Sequence, residues 1–256
     1  MDLETLRQGT ADWGDISEAA AVIWRASTCP HLDYFRTTLQ NHLSDAKLTA
    51  IDLHTAIDNT RRAVVVCSRE KITIAFQGSQ PYELFKNTWI DGKGPKLWDL
   101  PFPSPKQITV AGFSMGGGIS ILAFTDILEH IRTTCGSASP SPQPWAVDSN
   151  LGSLFQHFTF AAVAAGDQGY YTVLNNLYER YKIRAWDFLN HRDMTVHTHH
   201  FALRSWRGHR YILPEAVVGQ YSAEFGHQGH FILGYLKAAE WMAVNGTDQV
   251  KSAYSY

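Results

Sequence analysis

The sequence is poor in cysteine. Only Cys29, Cys67 and Cys135 occur in 256 residues. An odd number at wide spacing is not a disulfide framework, and no CxxC pair points to a redox centre or a zinc site. An excess of charge of either sign is also missing. The 22 basic and 24 acidic residues leave a net charge of −2, which offers no attraction to nucleic acid or an anionic membrane surface. No apolar run approaches the ~18 residues that mark a bilayer span, so no transmembrane segment is expected. The N-terminal stretch MDLETLRQGTADWGD is acidic and polar and lacks the apolar core of a secretory signal. These absences predict a soluble, cytoplasmic protein. Internal repeats are absent too.

What is present suits a single globular domain over residues 1–256. The hydrophobic fraction is 45% and the charged fraction 18%, enough to bury a sizeable core. Residues 14–26 predict a helix with Asp15 or Ser17 as N-cap, and residues 31–44 an amphipathic one. The β-branched runs at 61–68 and 71–78 predict two strands joined as a hairpin. Strands are also predicted at 108–113, 155–165 and 182–190, and helices at 114–131, 168–181 and 229–244. Strands alternating with helices point to an α/β fold with a mainly parallel central sheet and flanking helices. The stretch 133–150 predicts a solvated connector.

Chemistry is concentrated at Gly112-Phe113-Ser114-Met115-Gly116. G-x-S-x-G is a weak signal alone. Here it follows a buried-type strand and opens an apolar helix, as a nucleophile elbow requires. The turn would lift the Ser114 hydroxyl above the sheet. It would leave the Met115 N–H at a helix N-terminus, ready to hold an oxyanion. A serine needs a base to take its proton and an acid to orient that base. In α/β-hydrolases the chain order is serine, acid, histidine. Asp193 follows the strand at 182–190, and Asp187, inside that strand, ranks second. His227 lies in a glycine-flanked turn before the last helix, with His230 close by as the alternative base.

Taken together, these stretches resemble the class 3 lipases, the family of fungal triacylglycerol lipases and related phospholipases and feruloyl esterases. Ile74 to Ser79 resembles that family's strand ending in F-R-G-T/S, and Asn87 to Asp91 its N-W-x-x-D. Ile108 to Gly117 resembles I-x-V-T-G-H-S-L-G-G, Asn190 to Val196 resembles N-x-x-D-x-V, and His227-Gln228-Gly229 resembles the terminal H-x-G. The order is collinear over roughly residues 50–235. The resemblance implies an α/β-hydrolase fold, Ser114 as nucleophile, Asp193 as acid and His227 as base. Ser79 would supply, with Met115, the oxyanion donors. The implied activity is hydrolysis of lipid-like acyl esters, with no cofactor, no metal, and transient contact with a lipid interface. The rival readings are a phospholipase or feruloyl esterase specificity on the same site, or a hydrolase-like binding protein without activity.

The chain departs from the family pattern at several points. Phe113 replaces a histidine and Gln77 an arginine. After Thr159-Phe160 only Gly166 and Asp167 match G-x-P-R-V-G-N. Only 20 residues, 92–111, separate Asp91 from Gly112. They leave no room for the family's helix there, so one flank of the sheet is expected to be less covered. The segment 80–105 holds five prolines and several aromatics. It begins after Ser79 and ends before the elbow strand. We expect it to border the substrate site, with Phe85 and Trp89 touching the acyl chain and glycines at 92 and 94 as hinges. His191, His197, His199 and His200 crowd together, but without Glu or Cys at ligand spacing they read as structural or surface residues.

Overall fold

The computed structural model describes residues 11–29, 34–35, 37–39, 50–55, 62–67, 70–78, 105–135, 150–190, 193, 210–213, 230–245 and 251–252. Among the described residues eight strands form one sheet in the order β1 to β8. They are β1 (Ala50–Thr55), β2 (Arg62–Cys67), β3 (Lys71–Phe76), β4 (Gln107–Phe113), β5 (Phe155–Phe160), β6 (Arg184–Asn190), β7 (Arg210–Leu213) and β8 (Lys251–Ser252). The pairs from β3 to β7 are parallel. The flanking pairs β1–β2, β2–β3 and β7–β8 are antiparallel. The hairpin expected from the two β-branched runs forms, with Cys67 opposite Ile72. β1, β7 and β8 were not anticipated. β7 and β8 are short, and both lack the apolar run that marks a buried strand.

The parallel strands are buried on both faces, as helix-covered strands must be. Alternate residues part into two cores. Val64 and Val66 join Ala75, Ala111, Phe158, Phe160, Trp186 and Phe188 on one side. Val65 and Cys67 join Ile72, Ile74, Ile108, Val110 and Phe155 on the other. The first face is covered by α1 (Ala11–Thr28) and α5 (Ile232–Asn245), which pack against each other. The second is covered by α2 (Met115–Cys135) and α4 (Gln168–Tyr181). α2 buries Ile121, Phe124, Leu128 and Ile131, a helical spacing that makes one apolar stripe. A single turn, α3 (Leu151–Leu154), leads into β5. Among the described residues no helix is long and apolar enough to cross a membrane.

Despite the short stretch from 92 to 111, β3 and β4 form a parallel pair, with Lys71 opposite Gln107 and Phe76 opposite Gly112. The expected loss of cover does not reach these strands. Ile72, Ile74, Ala75, Ile108, Val110 and Ala111 are all buried.

Asp15 does not cap α1, which begins before it. Its buried carboxylate accepts from Lys71 Nζ and Gln107 Nε2, both at 2.7 Å. These bonds pin α1 across the starts of β3 and β4. The expected helix at 168–181 is observed. Asp167 caps it by accepting from Tyr170 N–H at 2.9 Å, and Lys182 ends it with a φ of 56°.

Candidate active site

At the end of β4 the chain reverses into α2 within one residue. Ser114 makes that turn with a φ of 55°, a left-handed conformation that costs a non-glycine residue roughly 1–2 kcal/mol. The turn is possible because its neighbours lack side chains. A Cβ on Gly112 would run into the Gly116 carbonyl, and one on Gly116 into the carbonyls of Phe76 and Gln77. The Ser114 carbonyl accepts from the N–H groups of Gly117 at 2.9 Å, Gly118 at 3.3 Å and Val163 at 3.2 Å. Met115 opens α2, so its N–H has no acceptor within the helix.

The turn presents Ser114 Oγ to an imidazole. His230 Nε2 lies 2.9 Å from Ser114 Oγ, and His230 Nδ1 lies 2.7 Å from Asp193 Oδ2. An ionised carboxylate only accepts, so Nδ1 carries the proton. In the neutral ring Nε2 then accepts from the serine hydroxyl. Asp193 sits three residues beyond β6 in a turn closed by its own N–H on the Asn190 carbonyl, 3.0 Å away. A second donor holds the carboxylate. Tyr235 O–H donates to the same Oδ2 at 2.8 Å, while the Asn190 N–H donates to the Tyr235 oxygen at 2.9 Å. Burial, then the Asp193 charge, push the Tyr235 phenol well above its ordinary range, so it stays a donor. Phe113 lies against the His230 ring, with centroids 4.7 Å apart. The aromatic residue before the serine thus packs on the imidazole.

The sequence placed Ser114, Asp193 and Met115 at this end of the sheet, and they meet here. Of the two histidines left open, His230 stands between serine and carboxylate. His227, Ser79, Phe85 and Trp89 lie outside the described residues, as do His191, His197, His199 and His200. Gly78, next to Ser79, does approach the turn: a Cβ there would lie 3.0 Å from the Ser114 Cβ. The reasoning that tied both ends of segment 80–105 to the site is corrected by the strand direction. Its first end is at Gly78, beside Ser114. Its far end leads to Lys106, whose N–H donates to the Glu70 carbonyl at 2.8 Å, at the start of β4. A seven-residue strand separates that point from Ser114 by roughly 20 Å.

Tyr235 and Arg210 were missed by the sequence reading. The only signal for Tyr235 was its place on the helix that follows the histidines. Arg210 gave none. Asp187, ranked second as the acid, serves another purpose. It pairs with Arg210, whose Nε lies 2.6 Å from Asp187 Oδ2, and accepts from Thr159 Oγ1 at 2.7 Å. A second serine–histidine pair is buried nearby. Ser120 Oγ lies 3.0 Å from His157 Nε2, and His157 Nδ1 lies 2.7 Å from the Tyr178 hydroxyl.

No family model matches the sequence, and no curated protein matches it. Solved structures do. A Rhizomucor miehei lipase in a propeptide complex superposes with a TM-score of 0.55 at 15% identity, covering 83% of this chain and 72% of its own. Lipase II from Rhizopus niveus gives 0.50 at 15% identity over 75% and 77%. A triacylglycerol lipase described as having a serine protease triad at its catalytic centre gives 0.53 at 15% identity over 81% and 82%. A mainly parallel sheet with a serine turn at the end of β4, helices on both faces and these structural neighbours identify the fold. This chain shares the α/β-hydrolase fold of these lipases.

Proposed function

We propose that this chain is a serine carboxylic-ester hydrolase acting on lipid-like acyl esters. The observation that carries the proposal is the unbroken line from Ser114 Oγ through His230 to Asp193, with bonds of 2.9 and 2.7 Å. Ser114 Oγ attacks the ester carbonyl carbon as His230 Nε2 takes its proton. His230 then gives that proton to the departing alcohol, leaving an acyl-enzyme. Water repeats the sequence in reverse and releases the acid. Asp193, steadied by Tyr235, holds the imidazole in the tautomer this needs. The base is His230 rather than His227, because one imidazole already fills the space between hydroxyl and carboxylate. Met115 N–H supplies one oxyanion donor. Ser79 supplies the other, since its neighbour Gly78 lies against Ser114.

The lipid-like substrate is supported by the company the fold keeps, since the neighbouring proteins are named as lipases, one of them a triacylglycerol lipase. The segment after Ser79, with Phe85 and Trp89, would border the acyl chain at its first end. A fluorophosphonate probe should label Ser114, identified by peptide mapping. A panel of short-chain, long-chain, phospholipid and feruloyl esters should show turnover greatest on fatty-acyl esters. Labelling with turnover confined to phospholipid or feruloyl esters would move the specificity. Neither labelling nor turnover would leave a hydrolase-like binding protein.

A further inference from the structure

Beyond Phe113 and Phe160, the last paired residues of β4 and β5, both chains turn sharply. Both turns carry a non-glycine residue at positive φ, Ser114 at 55° and Ala161 at 49°. The two turns are bonded to each other. Ser114 N–H donates to the Phe160 carbonyl at 2.9 Å, and Val163 N–H donates to the Ser114 carbonyl at 3.2 Å. They are also packed together, since a Cβ on Gly117 would lie 2.7 Å from the Ala162 Cβ. Any shift of residues 160–163 is therefore passed to the backbone of Ser114.

A buried ion pair on β6 and β7 holds that segment. Asp187 Oδ1 accepts from Thr159 Oγ1 at 2.7 Å and from Ala162 N–H at 3.2 Å. Asp187 Oδ2 accepts from Arg210 Nε at 2.6 Å, and Arg210 Nη2 donates to the Ala162 carbonyl at 3.0 Å. The N–H and the C=O of Ala162 are thus each taken by one member of a single ion pair. Ala161 N–H is tied to the Phe188 carbonyl of β6 at 2.8 Å, which adds a third anchor. The side chains of Arg210 and Asp187 are 9% and 0% exposed. A pair so deeply buried rarely adds stability over an apolar replacement of the same shape. What an apolar pair cannot do is hold a donor and an acceptor of one residue at fixed points.

We infer that the Asp187–Arg210 pair is a positioning device for the nucleophile: it fixes Ala162 from both sides, and through it the left-handed turn that presents Ser114 Oγ to His230. The inference rests on the reading of Ser114 as a nucleophile, and its test separates the two. Arg210→Lys keeps a positive charge beside Asp187 but loses the planar fork that reaches both Asp187 and Ala162. In that variant, amide hydrogen exchange at Ser114 and Val163 should quicken several-fold. Fluorophosphonate labelling and kcat should fall roughly 10- to 100-fold with KM unchanged. The double variant Asp187→Leu with Arg210→Met removes both charges and leaves the Thr159 hydroxyl and the N–H and C=O of Ala162 without those partners, so its melting temperature should fall. It is compared with the parent well below that temperature, where both are folded. Labelling should remain slow and exchange fast in it, which a merely structural role would not produce. Parent-like labelling and exchange in either variant overturns the inference. A parent protein that does not label defeats the nucleophile reading instead, and exchange at Ser114 and Val163 then decides the clamp alone.

Discussion

Two serine–histidine pairs stand close together in this chain, one at the mouth of the sheet and one in its core. Ser114 meets His230, and His230 meets a carboxylate. Ser120 meets His157, and His157 meets a phenol. That third partner reverses the direction of the chain. Burial pushes the Tyr178 phenol well above its ordinary range, so it donates to His157 Nδ1. Nε2 then carries the imidazole proton and donates to Ser120 Oγ, whose own proton goes to the Gly117 carbonyl at 2.7 Å. Among the described residues no base faces the Ser120 hydroxyl. Asp193 imposes the opposite tautomer on His230 and turns a basic nitrogen toward Ser114. Ser120 and His157 are also fully buried, whereas His230 is partly exposed. A serine beside a histidine is therefore no measure of reactivity. The charge of the group behind the histidine decides which way the proton can move.

The largest effect should come from exchanging the serines for alanine. Ser114→Ala should melt near the parent temperature and lose ester turnover by several orders of magnitude, as expected when triad members act as a unit. Ser120→Ala should do the reverse. It leaves the His157 Nε2–H without its acceptor in the core, at a cost of about 1–3 kcal/mol, while turnover per folded molecule stays near the parent's. Calorimetry and a single ester assay suffice for both. Full turnover in the Ser114 variant would end the comparison.

Next come the histidines. His230→Ala should be almost as inactive as Ser114→Ala, and His227→Ala should keep most activity. The opposite ranking, read from kcat on one ester, would return the base to His227.

A smaller loss is expected from Tyr235→Phe, which removes a donor to Asp193 Oδ2 and an acceptor of Asn190 N–H. A hydrogen bond to a charged group is worth about 1.5–3 kcal/mol, so kcat should fall by roughly one to two powers of ten with KM little changed. An unchanged kcat would show that the carboxylate is oriented without Tyr235.

The smallest effect on rate should follow Phe85→Ala or Trp89→Ala. These should shift the preference between short and long acyl esters more than they lower the melting temperature. A large fall in melting temperature with an unchanged acyl profile would make both rings structural anchors.

Much of this was legible in the sequence. The runs at 61–68 and 71–78 became β2 and β3 because adjacent β-branched residues each found a different core. The elbow was legible because its glycines are demanded by backbone contacts a few residues away, a local requirement. Asp193 was legible because an acid must stand where a parallel strand ends. The histidine was not. His227 and His230 are both near a glycine and both precede α5, and it is the tertiary contacts of His230 with Ser114, Asp193 and the Phe113 ring that mark it out. Asp187 misled in the same way, since its partner Arg210 lies on a short strand with no pattern of its own.

The sequence by itself determined the α/β alternation, the mainly parallel sheet and the site of the serine turn. These depend on side-chain periodicity and on glycines acting over a few residues. Only the tertiary structure decided which histidine reaches Ser114, which aspartate it turns its back on, and which serine keeps its proton. Those choices depend on groups distant in sequence coming within 3 Å of each other, as Ser114, Asp193 and His230 do. In a buried site the tautomer that such contacts impose decides what the residues can do.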